Sequence, residues 1–541
     1  MRVSLACPQS ATHVFRMRLF MVAWLMLAGV WPLACGAPAP DSVAVLYNAS
    51  SSESGKLARF YSKARGIPAE NLIALKMPEA QDISRADYES LIAAPLRKEF
   101  DRCAWWKRGK DASGITVPVQ NKIRVLVTVR GVPLRIQPSP KPAPPDATPS
   151  APPQNSMAGH DEASVDSELA LFGVEGVPLA GGLPNQYFKS EKSIAGREFP
   201  FLILTARIDA PTYATCERMI NDAIETEKTG LWGMAYVDIA NKFPQGDQWL
   251  EAVIKENQKT GIPTVVDRFN ETLPTYYPMR EAAFYHGWYD WNVSGPFLNP
   301  AFKFRKGAIA MHLHSFSAEQ LRNASKNWAG PLLEKGAAVT LGNVYEPFLH
   351  LTHDFGILHQ RLLAGHSWVE ACWMAMPTAS WQNVVLGDPL YQPFKHLDGS
   401  GVVAEGDKNF RALRAATLRW PDNPAERRKQ LDRAADRTSS GVLAEAVGLD
   451  LQGHGLSAEA TFYFRKAKSF YLADADKLRQ DFHVIAIDRT ANRKDLAVRG
   501  LRDAEMRYQS LPEAESLKGW LKILDPPPPP PADPTQGKAL K

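Results

Sequence analysis

Short runs of β-branched and other apolar residues, each followed by a stretch of helical spacing, recur from residue 42 to residue 394. That order demands a sheet covered by helices on both faces. Residues 42–47 (SVAVLY) form the first run, and a helical pattern over 53–65 follows, ending at Gly66-Ile67-Pro68. Residues 71–77 repeat the strand signal, 84–100 carry helical spacing, and 122–129 (KIRVLVTV) form a β-branched strand. Further along, 201–208 (FLILTARI), 232–239 and 263–269 read as strands, with helices over 212–229 and 247–259 between them. The expectation is a doubly wound, mainly parallel α/β sheet over residues 42–397.

Residues 137–160 are crowded with Pro, Ala and Ser, a composition that buries no core and reads as a disordered surface insertion. Beyond Pro393 the strand signals stop. Residues 409–524 are rich in Ala, Leu, Arg and Glu and predict an all-α C-terminal region, in which 443–468 have the spacing of a tetratricopeptide-like helix pair. A Pro-rich tail, 525–541, closes the chain.

The 541 residues, 45% hydrophobic, exceed what one core accommodates, so two or more domains are expected. A formal charge of only +5, with no basic run interleaved with aromatics, argues against nucleic acid as a partner. Arg16 and Arg18 precede an apolar run over 19–33, then small residues and prolines. This is the layout of a secretory signal spanning residues 1–37, and it implies a periplasmic or secreted protein that is not an integral membrane protein after cleavage. Lipoprotein anchoring at Cys35 is the less favoured alternative, because Pro32 replaces an aliphatic residue in that motif. Cys103, Cys216 and Cys372 are too widely spaced for a disulfide framework or a CxxC metal site, and Cys372 reads as a packing residue.

Chemistry, if present, belongs in residues 281–394, where 282–288 (AAFYHGW), 307–315 (GAIAMHLHS) and 337–344 (AAVTLGNV) each read as a buried strand entering a turn. His286 could serve as a general base, and a packed core histidine is the structural alternative. His312 and His314, two apart, share a strand face and could chelate a metal with Glu346, but no third ligand stands at a diagnostic spacing, so neither metal nor cofactor is expected. Ser315 follows His314 without the G-x-S-x-G turn of a nucleophile elbow, and Ser317 with Gln320 reads as a capping box. Asp166, Arg207, Asp209, Asp238, Glu346 and Asp388 fall at element ends, where they either converge on a binding cleft or form ion pairs and turns. No glycine loop of the phosphate-binding kind follows a strand. The aromatics of 285–291, with Trp328 and Trp381, could line a carbohydrate or peptide groove, or belong to the core.

Several segments in order, 129–136 (VRGVPLRI), 165–169 (VDSEL), 205–211 (TARIDAP), 336–347 (GAAVTLGNVYEP) and 387–394 (GDPLYQPF), resemble an uncharacterised bacterial family found in species with exosortase-type protein sorting. A more distant resemblance is to gingipain-type cysteine peptidases, with a caspase-like sheet. It would set His286-Gly287 in the place of the catalytic His-Gly pair and the end of 308–315 in the place of the nucleophile, where His312, His314 and Ser315 stand instead of a cysteine. These resemblances imply a degenerate, non-peptidase relative, an accessory or binding protein in exosortase-linked sorting or exopolysaccharide export, with envelope proteins or export components as partners. The alternative they imply is an envelope hydrolase, peptidase or esterase, using His286 with Ser315, assisted by His314, or with water.

Overall fold

The computed structural model describes residues 37–140, 157 and 159–527. The signal segment up to Gly36, Cys35 with it, most of the Pro-rich insertion and the tail from residue 528 lie outside the described residues.

Two sheets form the frame. The first has six strands in the spatial order β9-β10-β4-β3-β1-β2, where β1 is Val43–Asn48, β2 Leu72–Leu75, β3 Val125–Val129, β4 Leu204–Ile208, β9 Thr340–Asn343 and β10 Asn383–Leu386. The second has four parallel strands in the order β6-β5-β7-β8, with β5 Met234–Asp238, β6 Thr264–Asp267, β7 Ala282–Gly287 and β8 Ile309–His312. A parallel bridge between Ile309 and Val339 joins β8 to the chain entering β9. The molecule is thus α/β, with one parallel and one mixed sheet.

The β-branched run of β3 shows why these segments are strands. Successive side chains leave on opposite faces, so Val125, Val127 and Val129 enter one core with Val43, Val45, Leu204 and Ile208. Leu126 enters a second core with Ala44, Leu46 and Phe100. A strand buried on both faces carries apolar residues at every position, as seen here. The helix after β1, Ser52–Arg65 (α1), stops at Gly66, whose φ of 67° places it in the left-handed region that glycine enters without a Cβ clash.

One reversal decides where polar strand ends can meet. β9 runs antiparallel to β10 but parallel to β8, so β10 ends at the edge where β8 begins. The ends of β3, β4 and β8 share the other edge, where Arg322, in the turn after β8, donates to Asp209, after β4, at 2.9 Å, and Arg135, after β3, pairs with Glu319 at 3.4 Å. Asp388, after β10, is thus separated from the other five expected binding residues and lies beside Arg65 at the end of α1.

After residue 407, seven α-helices follow among the described residues: Lys408–Arg419, Pro424–Thr438, Gly441–Gly453, Ser457–Phe470, Asp474–Thr490, Lys494–Arg507 and Glu515–Leu524. They dock beside β6, where Phe269 meets Trp520 edge-on at 5.3 Å and Tyr277 meets Phe482 at 5.1 Å. The Arg489 guanidinium lies 3.7 Å from the Phe269 ring centroid and pairs with Glu271. Among the described residues no helix is long and apolar enough to cross a membrane.

Candidate functional site

The four parallel strands β5 to β8 end together, the position at which open α/β sheets bind ligands. From these ends project Asp238, Asp267, Trp288, Tyr289, Trp291, His312, His314 and Phe316. The helix Pro244–Thr260 (α2) starts beside them and brings Phe243 and Asp247, and the Trp288 indole N–H donates to Asp247 at 3.0 Å. Gly246 permits this contact. A Cβ there would stand 2.2 Å from the Trp288 ring, so Gly246→Ala is expected to cost about 1–3 kcal/mol through overpacking, read as a fall in melting temperature with loss of near-ultraviolet tryptophan signal.

Tyr285 and His286 are consecutive on β7 and face opposite sides of the sheet. On one side, the Tyr285 hydroxyl and His312 Nδ1 share a hydrogen bond of 3.0 Å. His312 stacks on Trp328 with centroids 3.3 Å apart, and the Trp328 N–H donates to the Asp290 carbonyl at 2.7 Å. On the other side, His286 packs edge-on to Phe355 at 6.1 Å and to His359 at 5.5 Å, while His359 Nε2 and Asn257 Oδ1 lie 2.7 Å apart. Neither nitrogen of His286 has a hydrogen-bond partner among the described residues, and its exposure is 0%. Burial, and then the neighbouring His359, push its pKa well below the usual histidine value. It remains neutral in the physiological range and faces away from Ser315 and His314.

His314 is held between Tyr289 and Trp291, at 5.1 and 5.0 Å, and its Nδ1–H donates to the Ser315 carbonyl. Burial lowers its pKa. Ser315 is half-buried next to it, and Glu346 is exposed nearby, one of its oxygens accepting the Phe348 N–H at 3.1 Å. The expected capping box is absent: residues 315–322 form turns, the Ser317 hydroxyl accepts from Asn343 N–H at 3.1 Å, and Gln320 N–H donates to Asn327. A return to β9 is stronger here than a helix start. Among the described residues no group of three His, Cys, Asp or Glu stands where it could hold a metal ion. Cys103, Cys216 and Cys372 are free thiols, and Cys372 is fully buried.

Asp238 and Asp267 are register partners on β5 and β6. Asp238 Oδ2 accepts from Leu273 N–H and Asp267 Oδ1 from Phe269 N–H, each at 3.1 Å, and the remaining oxygens are without partners among the described residues. Burial pushes the Asp267 carboxyl up to about 7. Burial and the Asp267 charge raise Asp238 well above the carboxylate range. The sequence reading named Asp238 alone, although 263–269 also ends its apolar run in an aspartate.

Beyond the ends of β3 and β4, Asp166, Arg207 and Asp209 form a closed network. Arg207 donates to both Asp166 oxygens, at 2.7 and 3.1 Å, and to the carbonyls of Val132 and Pro133. Thr128 Oγ1 donates to Asp166 at 2.6 Å. Asp209 accepts from Arg322 at 2.9 Å and from Arg130 at 3.2 Å, and lies 3.4 Å from Arg207. Burial alone would raise Asp209, but Arg322 and Arg207 together hold it below its usual value. All three are buried and saturated, so they tie the loops after β3 and β8 to the sheet and offer no free group to a ligand. Asp388 is likewise consumed by Tyr61, Arg65 and Leu390 N–H.

What remains open at the ends of β5 to β8 is aromatic. Phe243, Tyr289 and Trp291 are 51%, 39% and 54% exposed, with Phe243 6.0 Å from Tyr289 and Phe316 5.5 Å from Trp291. Phe243, lying just before a helix, carried no signal in the sequence that would have placed it here.

No family model and no curated protein matches this chain. Among solved structures it is similar to a chain described as "Structure of Protease", at 13% identity over 66% of this chain and 79% of that one, with a TM-score of 0.35.

Proposed function

We propose that this is an exported, non-peptidase relative of caspase-like peptidases that acts as a binding or accessory protein in the cell envelope, alongside exosortase-linked sorting or exopolysaccharide export, and that it holds a glycan on the aromatic edge. The observation that carries this reading is the row of Phe243, Tyr289 and Trp291, left uncovered where four parallel strands end. Flat rings offer sugar C–H groups an apolar face, and Asp290, Glu346 and the Ser315 hydroxyl border them with hydrogen-bonding groups. The hydrolase alternative receives no comparable support, since its base, His286, lies on the opposite face of β7 from His314.

Native affinity gels cast with xylan, hydroxyethylcellulose or alginate test the reading. Retardation is expected on at least one gel, and the Tyr289→Ala/Trp291→Ala variant should lose tenfold or more of that affinity. Unretarded migration on all three, or labelling of Ser315 by a reactive phosphonate, would overturn it.

A further inference from the structure

Strand β6 is the outer strand of the four-stranded sheet and, among the described residues, has a neighbouring strand on one side only. The bonds from Ala235 N–H to the Pro263 carbonyl and from Ile239 N–H to the Asp267 carbonyl, both 2.9 Å, show which peptide groups face β5. In a parallel strand the N–H and C=O of one residue point to the same side, and successive residues alternate. Pro263, Val265 and Asp267 therefore turn toward β5, and Thr264 and Val266 turn their N–H and C=O groups outward. Such an edge is a template for another strand unless something covers it.

Here it faces a partly open cavity. A cavity of about 510 Å³ lies between the edge and the C-terminal helices, and Thr264 and Val266 both line it. Its volume falls in the range of ligand pockets. Ile254, Leu413, Val447 and Ile487 give it apolar walls. Arg427 and Arg428 line it as well and share one carboxylate, Asp450, at 3.5 and 2.7 Å. Two half-buried guanidiniums against one aspartate leave a positive charge uncompensated at the wall, and guanidinium is the side chain best shaped for carboxylate.

We propose that this cavity receives a short extended peptide with apolar side chains and a free C-terminal carboxylate. The peptide adds to β6 as a fifth strand, hydrogen-bonded to the outward groups of Thr264 and Val266, and sets its carboxylate on Arg427 and Arg428. Backbone pairing supplies affinity and the apolar walls select side chains, the division of labour seen wherever a peptide extends a sheet. This site is separate from the aromatic edge and does not depend on glycan binding.

Fluorescence anisotropy on the full chain, with a labelled Val-Thr-Val-Thr-Val peptide ending in a free carboxylate, tests the proposal. The free acid should bind, and its C-terminal amide should bind at least tenfold more weakly. N-methylation at alternate residues should abolish binding in one phase and leave it nearly unchanged in the other, a pattern that strand addition produces and nonspecific apolar capture does not. Arg427→Gln with Arg428→Gln should erase the difference between acid and amide, and Ala446→Trp, which fills the cavity, should block both. The proposal is overturned by no binding at millimolar peptide, by binding indifferent to N-methylation in both phases, or by unchanged binding to the Ala446→Trp protein.

Discussion

Replacing Arg479 by methionine is expected to destabilise the C-terminal helices by about 3–5 kcal/mol, the cost of leaving a buried charge without its partner. Glu445 is the charge in question. It is 0% exposed and accepts from Arg479 Nε and Nη2, both at 2.7 Å, from the Tyr471 hydroxyl at 2.5 Å and from His483 Nε2 at 2.9 Å. Burial pushes its pKa up, but attraction to Arg479 and the hydrogen bonds from Arg479 and His483 outweigh burial and hold it far below the carboxylate range. A depressed carboxylate contributes stability that is fully present above its unfolded pKa, about 4.3, and is lost as pH falls through the folded value. Chemical denaturation at pH 7 followed by helix signal should show the loss in the Arg479→Met protein. As pH falls from 7 toward about 4 the difference from the parent should narrow, because the buried Glu445 without Arg479 takes up a proton above its unfolded pKa. Arg479→Met combined with Glu445→Leu should recover part of the loss, because two apolar groups replace the pair without stranding a charge. If the double variant is no more stable than the single one, packing, and not the ion pair, holds these helices.

Much of the frame was legible because periodicity reports burial directly. The run over 122–129 had to be a strand with both faces covered, and the Gly66-Ile67-Pro68 stop had to end a helix. Direction was not legible. Whether β9 runs with or against β10 depends on how residues 344–382 return between them, and no local signal carries that. Asp166, Arg207, Asp209, Asp238, Glu346 and Asp388 therefore looked like one cleft and are divided between two edges. Orientation failed in the same way at His286. The sequence placed it beside Tyr285 on a strand entering a turn, but only the packed helices show that its face is closed by Phe355 and His359. Phe243 and the open edge of β6 went unseen because each acquires meaning from a neighbour far away in the chain. The wide spacing of the cysteines was informative, since a pattern without pairs needs no tertiary context to exclude a disulfide framework.

Asp267→Asn should stabilise the protein at pH 8 by up to about 4 kcal/mol, the free energy that corresponds to a carboxyl raised from 3.8 to about 7. A carboxyl with a raised folded pKa is at no disadvantage below its unfolded value, where both states hold the proton. Stability is then lost as pH climbs from about 4 to about 7, because the unfolded chain releases a proton that the folded chain keeps. The parent should weaken across that window, and the asparagine variant should weaken much less. An amide at this position retains an oxygen for the Phe269 N–H and presents donors toward the partnerless Asp238 Oδ1, one strand away in the same register. Urea denaturation at pH 4 and pH 8 separates the outcomes: near-equal stability at pH 4 with a gain at pH 8 supports the account, and a loss at pH 8 shows that the carboxylate is needed where it stands. A chain that keeps two desolvated carboxyls where one amide would serve gives up stability at the strand ends nearest the aromatic edge, and groups retained against stability are where function concentrates. If glycan binding weakens in the Asp267→Asn protein while stability rises, the pair belongs to the ligand site. If binding is untouched, the pair is a strain in the frame alone, and Phe243, Tyr289 and Trp291 hold the ligand without it.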